Sequence, residues 1–167
     1  MEYLLCTNGL TKQYGRHKAV DSVNIHIRQG DIYGLIGRNG AGKTTILKII
    51  SGLASPTAGD FTLFGKTGKD VSPYMSRIGT LIEAPGVYPN MSARENLKLK
   101  CLAMGVRKKG CIDDLLRIVG LENTGRKKIR NFSLGMKQRL GIALALVGDP
   151  DIVILDEPIN GLDPQGI

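Results

Sequence analysis

The sequence predicts an α/β fold: a mixed, mainly parallel sheet with an N-terminal antiparallel β element and an inserted helical subdomain. Three observations carry this reading. Gly37-Arg38-Asn39-Gly40-Ala41-Gly42-Lys43-Thr44-Thr45 stands between a strand-sized apolar run, Ile32 to Ile36, and a helix-like run, Ile46 to Ile50. That is strand, glycine loop and helix at the G-x-x-x-x-G-K-[ST] spacing of a phosphate-binding loop. Three amphipathic segments then follow one another between residues 92 and 147, and a last apolar run, Ile152-Val153-Ile154-Leu155, ends in Asp156-Glu157.

Taken in order, Tyr3 to Thr7 reads as a strand and Val23 to Arg28 as a second, with Val23, Ile25 and Ile27 alternating onto one face. Tyr14-Gly15-Arg16-His17 between them is turn-like. Asp31 to Ile36 reads as the strand that leads into the loop, and the helix after it stops near Ser51-Gly52. Ser55-Pro56-Thr57-Ala58-Gly59 is a loop. Phe61 to Phe64 is a short strand expected antiparallel to the N-terminal ones, and Gly79 to Ile82 is another, ending at Glu83-Ala84-Pro85-Gly86. Ser92-Ala93-Arg94-Glu95 is a capping box, in which hydroxyl and carboxylate each satisfy a free N–H at a helix start. That helix runs to about Met104, with Gly105 as its stop. Ile112, Leu115, Leu116 and Val119 make one apolar stripe ending at Gly120. A further helix starts at Ser133 and carries Met136, Leu140, Ala143 and Val147 on one face. The organisation is one domain, with residues 1–84 and 148–167 as a nucleotide-binding core and 85–147 as the helical subdomain.

A chain of 167 residues can bury a sizeable core. Its longest apolar runs are strand-sized and too short to cross a bilayer, and Met1-Glu2-Tyr3 does not open a signal peptide, so a cytoplasmic location is expected. Cys6, Cys101 and Cys111 are odd in number and widely spaced, which suits reduced thiols and, without a C-x-x-C, argues against a metal site. The net charge of +8 is spread along the chain. Its densest clusters, Arg107-Lys108-Lys109 and Arg126-Lys127-Lys128, read as solvated loops. No aromatic and basic residues interleave as a nucleic-acid stacking platform would require, so no nucleic-acid partner is expected.

The motifs carry a definite chemistry. Gly37, Gly40 and Gly42 let the backbone around Asn39 and Ala41 curl so that its amides face a phosphate chain. The helix opening at Lys43 and Thr45 adds its positive end. Lys43 reaches β- and γ-phosphates, and the Thr44 hydroxyl is placed to ligate Mg²⁺. A buried strand ending in two acids delivers them to the carboxyl edge of the sheet, where α/β sheets bind ligands. Asp156 is then a Mg²⁺ holder and Glu157 the residue that polarises the attacking water.

With Asn131-Phe132-Ser133-Leu134-Gly135-Met136-Lys137-Gln138-Arg139, these residues resemble the nucleotide-binding subunit of ABC transporters. The resemblance implies a P-loop NTPase fold, ATP and Mg²⁺ as cofactors, and ATP hydrolysis with Lys43 and Glu157 in catalytic roles. The stretch from Ser133 falls at the family's signature loop, keeping Ser133 and Gly135 but replacing the first glycine with Leu134. In the family this helix start faces ATP held by a second subunit of a head-to-tail dimer. Tyr14 falls where the family stacks an aromatic on adenine, and Asn160-Gly161-Leu162-Asp163 resembles the loop that touches the partner's site. Glu83 falls where the family usually has a Gln that senses Mg²⁺ and couples to the membrane subunit; a carboxylate oxygen is also a competent ligand. Glu83 with Ala-Pro-Gly-Val-Tyr-Pro behind it, and Phe132 to Leu140, are similar to exporters of bacitracin-like and lantibiotic peptides. The family also implies a membrane-spanning partner subunit and a place on the inner face of the cell membrane. It expects a His beyond the acidic strand, whereas His17 and His26 both precede the loop. The chain therefore reads as C-terminally truncated, lacking that His and a strand expected between the phosphate-loop strand and the acidic one. A soluble ABC-type ATPase acting on nucleic acid or ribosomes is the alternative, though the three short helices leave no room for a long coiled-coil insert. A regulatory GTPase is disfavoured because no N-K-x-D motif follows the loop.

Overall fold

A computed structural model describes residues 3–161, which form two compact units divided between Met75 and Ser76. In the first unit, β1 (Tyr3–Tyr14), β2 (His17–Val23) and β3 (His26–Arg28) precede α1 (Lys43–Ile50), β4 (Ala58–Leu63) and β5 (Lys66–Thr67). The sheet is antiparallel throughout, in the order β2-β1-β4-β5, with β3 also on β1. β1 is long enough to serve both neighbours because its register shifts around Lys12, which bends it between them. Leu5, Leu10, Val20, Ile25, Leu63 and Val71 are buried, as are Ile46, Ile49 and Ile50 from α1. The expected strand from Val23 to Arg28 is broken. Thr7, itself buried, donates its hydroxyl to the Val23 carbonyl at 2.9 Å and accepts from the Ile25 amide at 2.8 Å. A side chain there takes the place of a ladder bond.

The expected strand Asp31 to Ile36 does not form. The segment carries no sheet assignment among the described residues, and Ile32 and Ile36 are fully exposed at 102% and 96%. A strand exists only through the neighbour that receives its N–H and C=O groups, and no described segment pairs with this one. Apolar alternation sets which face a strand would bury. It does not provide the ladder.

The second unit contains β6 (Ile78–Leu81), α2 (Ala93–Ala103), α3 (Cys111–Ile118), α4 (Leu134–Ala145) and β7 (Ile152–Leu155). β6 and β7 pair in parallel, Ile78 with Ile152 through Leu81 with Leu155. Arg77 and Asp151, one residue before each strand, clamp the start of the pair. The guanidinium donates to both carboxylate oxygens at 2.7 and 2.9 Å, which holds the Asp151 carboxyl below its ordinary range. The expected capping box forms. The Ser92 amide and hydroxyl donate to Glu95 at 2.6 and 2.8 Å, and the Glu95 amide returns to Ser92 Oγ at 3.3 Å. Leu97, Leu115, Leu116, Leu121, Ile129, Phe132 and Leu140 close one core beneath α2, α3 and α4. Each such side chain contributes roughly 1.5–3 kcal/mol by leaving water.

α4 lies against β6 at a distance only glycine permits. A Cβ on Gly79 would fall 2.8 Å from the carbonyl carbon of Ala145, and one on Gly141 would fall 2.7 Å from Pro85 Cβ and 2.9 Å from Leu81 Cδ1.

Candidate nucleotide-binding site

The phosphate loop belongs to the first unit. Gly40 and Gly42 are left-handed, at φ +81° and +86°, and the Ala41 amide turns back to the Arg38 carbonyl at 3.1 Å. Gly42 precedes the first residue of α1, and no acidic side chain occupies that helix's first turn, so its positive end is uncompensated there. Lys43 arches over the loop and donates to the carbonyls of Gly37 at 2.8 Å and Arg38 at 3.0 Å. An ammonium has three donors, and these two leave one for a phosphate oxygen. A Cβ on Gly42 would enter the carbonyl of Ala19 on β2, so the cradle is seated directly on the sheet. Buried Ile46, Ile49 and Ile50 anchor α1, while Thr44 and Thr45 are half-buried in its first turn. Tyr14 ends β1 half-exposed at 52%, with the Lys12 ammonium 5.1 Å from its ring centroid. One face already takes a cation, and an aromatic so exposed can still stack on a flat ring.

The acidic residues belong to the second unit. The Asp156 amide continues the parallel ladder by donating to the Leu81 carbonyl at 2.8 Å, and its side chain is buried. Glu157 leaves the strand in a left-handed conformation, φ +47°, and Glu83 leaves β6 likewise at φ +63°. Because Leu81 and Leu155 are register partners, Glu83 and Glu157 both stand two residues beyond the same rung. The structure thus brings Glu83, Asp156 and Glu157 to one sheet edge. Among the described residues, no three His, Cys, Asp or Glu side chains gather as a metal cluster. Thr44 in the first unit and Glu83 and Asp156 in the second each carry an oxygen donor of the kind Mg²⁺ takes, the ion being held usually by one or two carboxylates together with phosphate oxygens and water.

Glu157 is held from two sides. Asn160 Nδ2 donates to its Oε2, and the Asn160 amide donates to its carbonyl at 3.1 Å. Gln138 of α4, itself buried, donates to the same carbonyl at 3.4 Å. Sequence reasoning missed Gln138 in this role. Its signal in the sequence is slight, because Gln138 stands between Lys137 and Arg139 and reads as one more polar residue of the helix start.

Ser133 caps α4 as expected, its Oγ accepting from the Met136 amide at 3.2 Å. Gly135 lies in the first turn of the helix, half-buried. Leu134, 66% exposed, lies over Gly161, where a Cβ would meet its Cγ at 2.5 Å. The signature-like loop and the loop after the acidic strand therefore touch. Leu162 and Asp163 of the latter lie outside the described residues.

A family model described as ABC transporter matches residues 20–160. The chain is 51% identical to a bacitracin transport ATP-binding protein of Bacillus licheniformis, over all of this chain and 55% of that protein. It is 45% identical to a lantibiotic transport ATP-binding protein of Streptococcus pyogenes, over 98% of this chain and 70% of that one. Among solved structures it is similar to an ATP-binding subunit of an ABC transporter, with TM-score 0.86 and 32% identity over 98% of this chain and 70% of that one. It is also similar to a dimeric ATP-binding cassette in a post-hydrolysis state bound to ADP and Pi, with TM-score 0.85 and 27% identity over 97% and 77%. The fold is therefore that of a P-loop NTPase, and the chain spans about half the length of the bacitracin relative. No helix among the described residues is long and apolar enough to cross a membrane.

Proposed function

The chain belongs to the ABC transporter family, and from that premise we propose that it is the ATP-binding and ATP-hydrolysing part of a subunit that powers a membrane exporter. The observation that carries the proposal is the loop geometry: left-handed Gly40 and Gly42, the open helix start, and Lys43 arched over carbonyls with a donor to spare. In this reading Tyr14 stacks on adenine. The amides around Gly37, Asn39, Gly40, Ala41, Gly42 and Thr45 hold the phosphates, with Lys43 on the β- and γ-oxygens. Thr44 and Asp156 hold Mg²⁺, which supplies charge neutralisation on the phosphates, with Glu83 as an additional ligand. Glu157, fixed by Asn160 and Gln138, orients the attacking water and takes its proton. Ser133 and Gly135 serve the ATP of a second subunit in a head-to-tail dimer, and the region of Glu83 passes motion to a membrane-spanning partner at the inner face of the cell membrane. Amphiphilic peptide antibiotics are the proposed cargo, supported by the bacitracin and lantibiotic names of relatives at 51% and 45% identity.

The test compares ATP binding and steady-state hydrolysis of this chain with those of a form lengthened at its C terminus. The 167-residue chain is expected to bind weakly and turn over little. The longer form should hydrolyse ATP and lose about 100-fold or more in rate on Glu157→Gln while still binding nucleotide. Absence of ATP binding by both forms would overturn the proposal, and so would full turnover by the Glu157→Gln variant.

A further inference from the structure

Tyr14, for all its exposure, is anchored through a neighbouring side chain. It is the last residue of β1 and pairs with His17 across a tight turn whose Gly15 is left-handed, at φ +56°. Two residues back along β1, the half-buried Lys12 places its ammonium over the Tyr14 ring, 5.1 Å from the centroid, and donates to the Ser55 carbonyl at 2.6 Å. One ammonium therefore joins the ring to the segment 51–57 that leaves α1. That segment is itself tied down. The Leu53 and Ala54 amides donate back to the Lys48 carbonyl in α1 at 2.8 and 3.2 Å. The Thr57 amide donates to the Thr11 carbonyl at 2.8 Å, and the Gln13 amide donates to Thr57 Oγ1 at 3.1 Å. Pro56 restricts the backbone of Ser55, so the carbonyl that receives Lys12 has little freedom of its own. The β1–β2 hairpin meets the phosphate loop at a second place. Ala19 is passed over where the register goes from Lys12–Val20 to Gln13–Lys18, and its carbonyl is the group that a Cβ on Gly42 would strike. Tyr14 is thus linked to the cradle by two routes, through β2 beneath Gly42 and through the segment behind α1.

We propose that Lys12 is a positioning residue for the base of the nucleotide. Its ammonium, anchored on Ser55, holds one face of the Tyr14 ring and leaves the opposite face oriented to stack on adenine. The inference rests on the assignment of Tyr14 as the residue that stacks on the base. Lys12 acts through the ring alone and touches neither base nor phosphate. The physical gain is preorganisation. An aromatic side chain on an exposed hairpin end samples several rotamers, and a ligand that must fix one of them loses affinity by doing so. A cation on the ring face, itself hydrogen-bonded to a restrained carbonyl, fixes the rotamer before the ligand arrives. The ties through Ser55, Thr57 and Ala19 then set the distance between the ring and the phosphate loop, so base and phosphates are met by one prearranged surface of the first unit.

The experiment measures ATP affinity by titration calorimetry in the C-terminally lengthened form, for Lys12→Met, Tyr14→Ala and the two together. Lys12→Met keeps the length and the apolar stem of the side chain and removes its charge. It should raise the Kd for ATP by about 3- to 10-fold, the value of a cation held on an aromatic face. Tyr14→Ala should raise it by about 10-fold or more, the value of a stacked base. The double variant should bind within about twofold of Tyr14→Ala alone, because Lys12 has nothing left to position. Lys12→Arg should bind like the parent, since a guanidinium also sits over an aromatic face and donates to a carbonyl. An equal loss on Lys12→Met with and without the Tyr14 ring would overturn the proposal, because Lys12 would then act on the phosphates or on the fold. Parent-like binding by Lys12→Met, or a loss on Lys12→Arg as large as that on Lys12→Met, would overturn it too. Either result, with Tyr14→Ala still impaired, leaves Tyr14 as the stacking residue. Parent-like binding by Tyr14→Ala would overturn the stacking assignment and the role of Lys12 together.

Discussion

Gly79→Ala places one methyl group where β6 and α4 leave no room. The new Cβ would lie 2.8 Å from the carbonyl carbon of Ala145 and 3.0 Å from Pro150 Cγ, and nearer still to the Ala145 carbonyl oxygen. Comfortable separations are about 3.5–4.0 Å, so the strand and helix must part by about 1 Å. The strand cannot simply retreat, because it is in register with β7 along four residues from Ile78 to Leu81. The helix cannot tilt freely either, since Leu140 and Ala143 on it are completely buried in the core shared with α2 and α3. A gap of that size forfeits a quarter to a half of each dispersion contact along the seam. Overpacking costs about 1–3 kcal/mol, and a backbone obstacle puts this case at the upper end, about 3 kcal/mol. For a chain of this length that is a fall of roughly 6–12 °C in Tm. Thermal unfolding followed by circular dichroism would measure it, with Gly34→Ala as the control, because a Cβ there meets nothing within 4 Å. A Gly79→Ala protein melting within about 2 °C of the parent would refute the close-approach argument.

Ser92→Ala removes the cap of α2 and should cost about 1 kcal/mol, read from the urea midpoint near neutral pH. Glu95 is drawn from 4.5 to about 2 by the Ser92 amide first, then by the Ser92 hydroxyl and Lys128. A depressed carboxyl stabilises the fold above its unfolded value and loses that effect as pH falls from about 4.5 towards 2. The parent's urea midpoint should therefore drop more steeply over that window than that of Glu95→Gln, and parallel curves would count against the capping interaction. Gly42→Ala combines a left-handed residue, costing roughly 1–2 kcal/mol, with a clash on the Ala19 carbonyl. It should abolish binding of a fluorescent ATP analogue to the C-terminally lengthened form, and retained binding would argue against this loop as the cradle. Lys43→Ala in that longer form should weaken ATP binding by about 10- to 100-fold, the value of one charge-assisted hydrogen bond, as measured by titration calorimetry.

The sequence by itself determined whatever depends on near neighbours in the chain. The left-handed glycines before Lys43, the Ser92–Glu95 box, the apolar stripe of α3, the Ser133 cap and the Asp156-Glu157 strand end are written in residue type at short spacing. Their physics is local: a φ only glycine adopts cheaply, a hydroxyl within reach of an amide three residues on, a helical period. Tertiary structure decided what depends on partners from elsewhere in the chain. Ile32 to Ile36 has the composition of a strand, yet it stays irregular because no described segment takes its backbone hydrogen bonds. Thr7 breaks the strand from Val23 to Arg28 from across the sheet, and Gln138 reaches Glu157 from a different element. The need for glycine at positions 79 and 141 arises only where β6 and α4 meet. Pairing, close approach and side-chain meeting across elements are properties of the packed chain, because each needs a second surface that no single stretch of sequence contains.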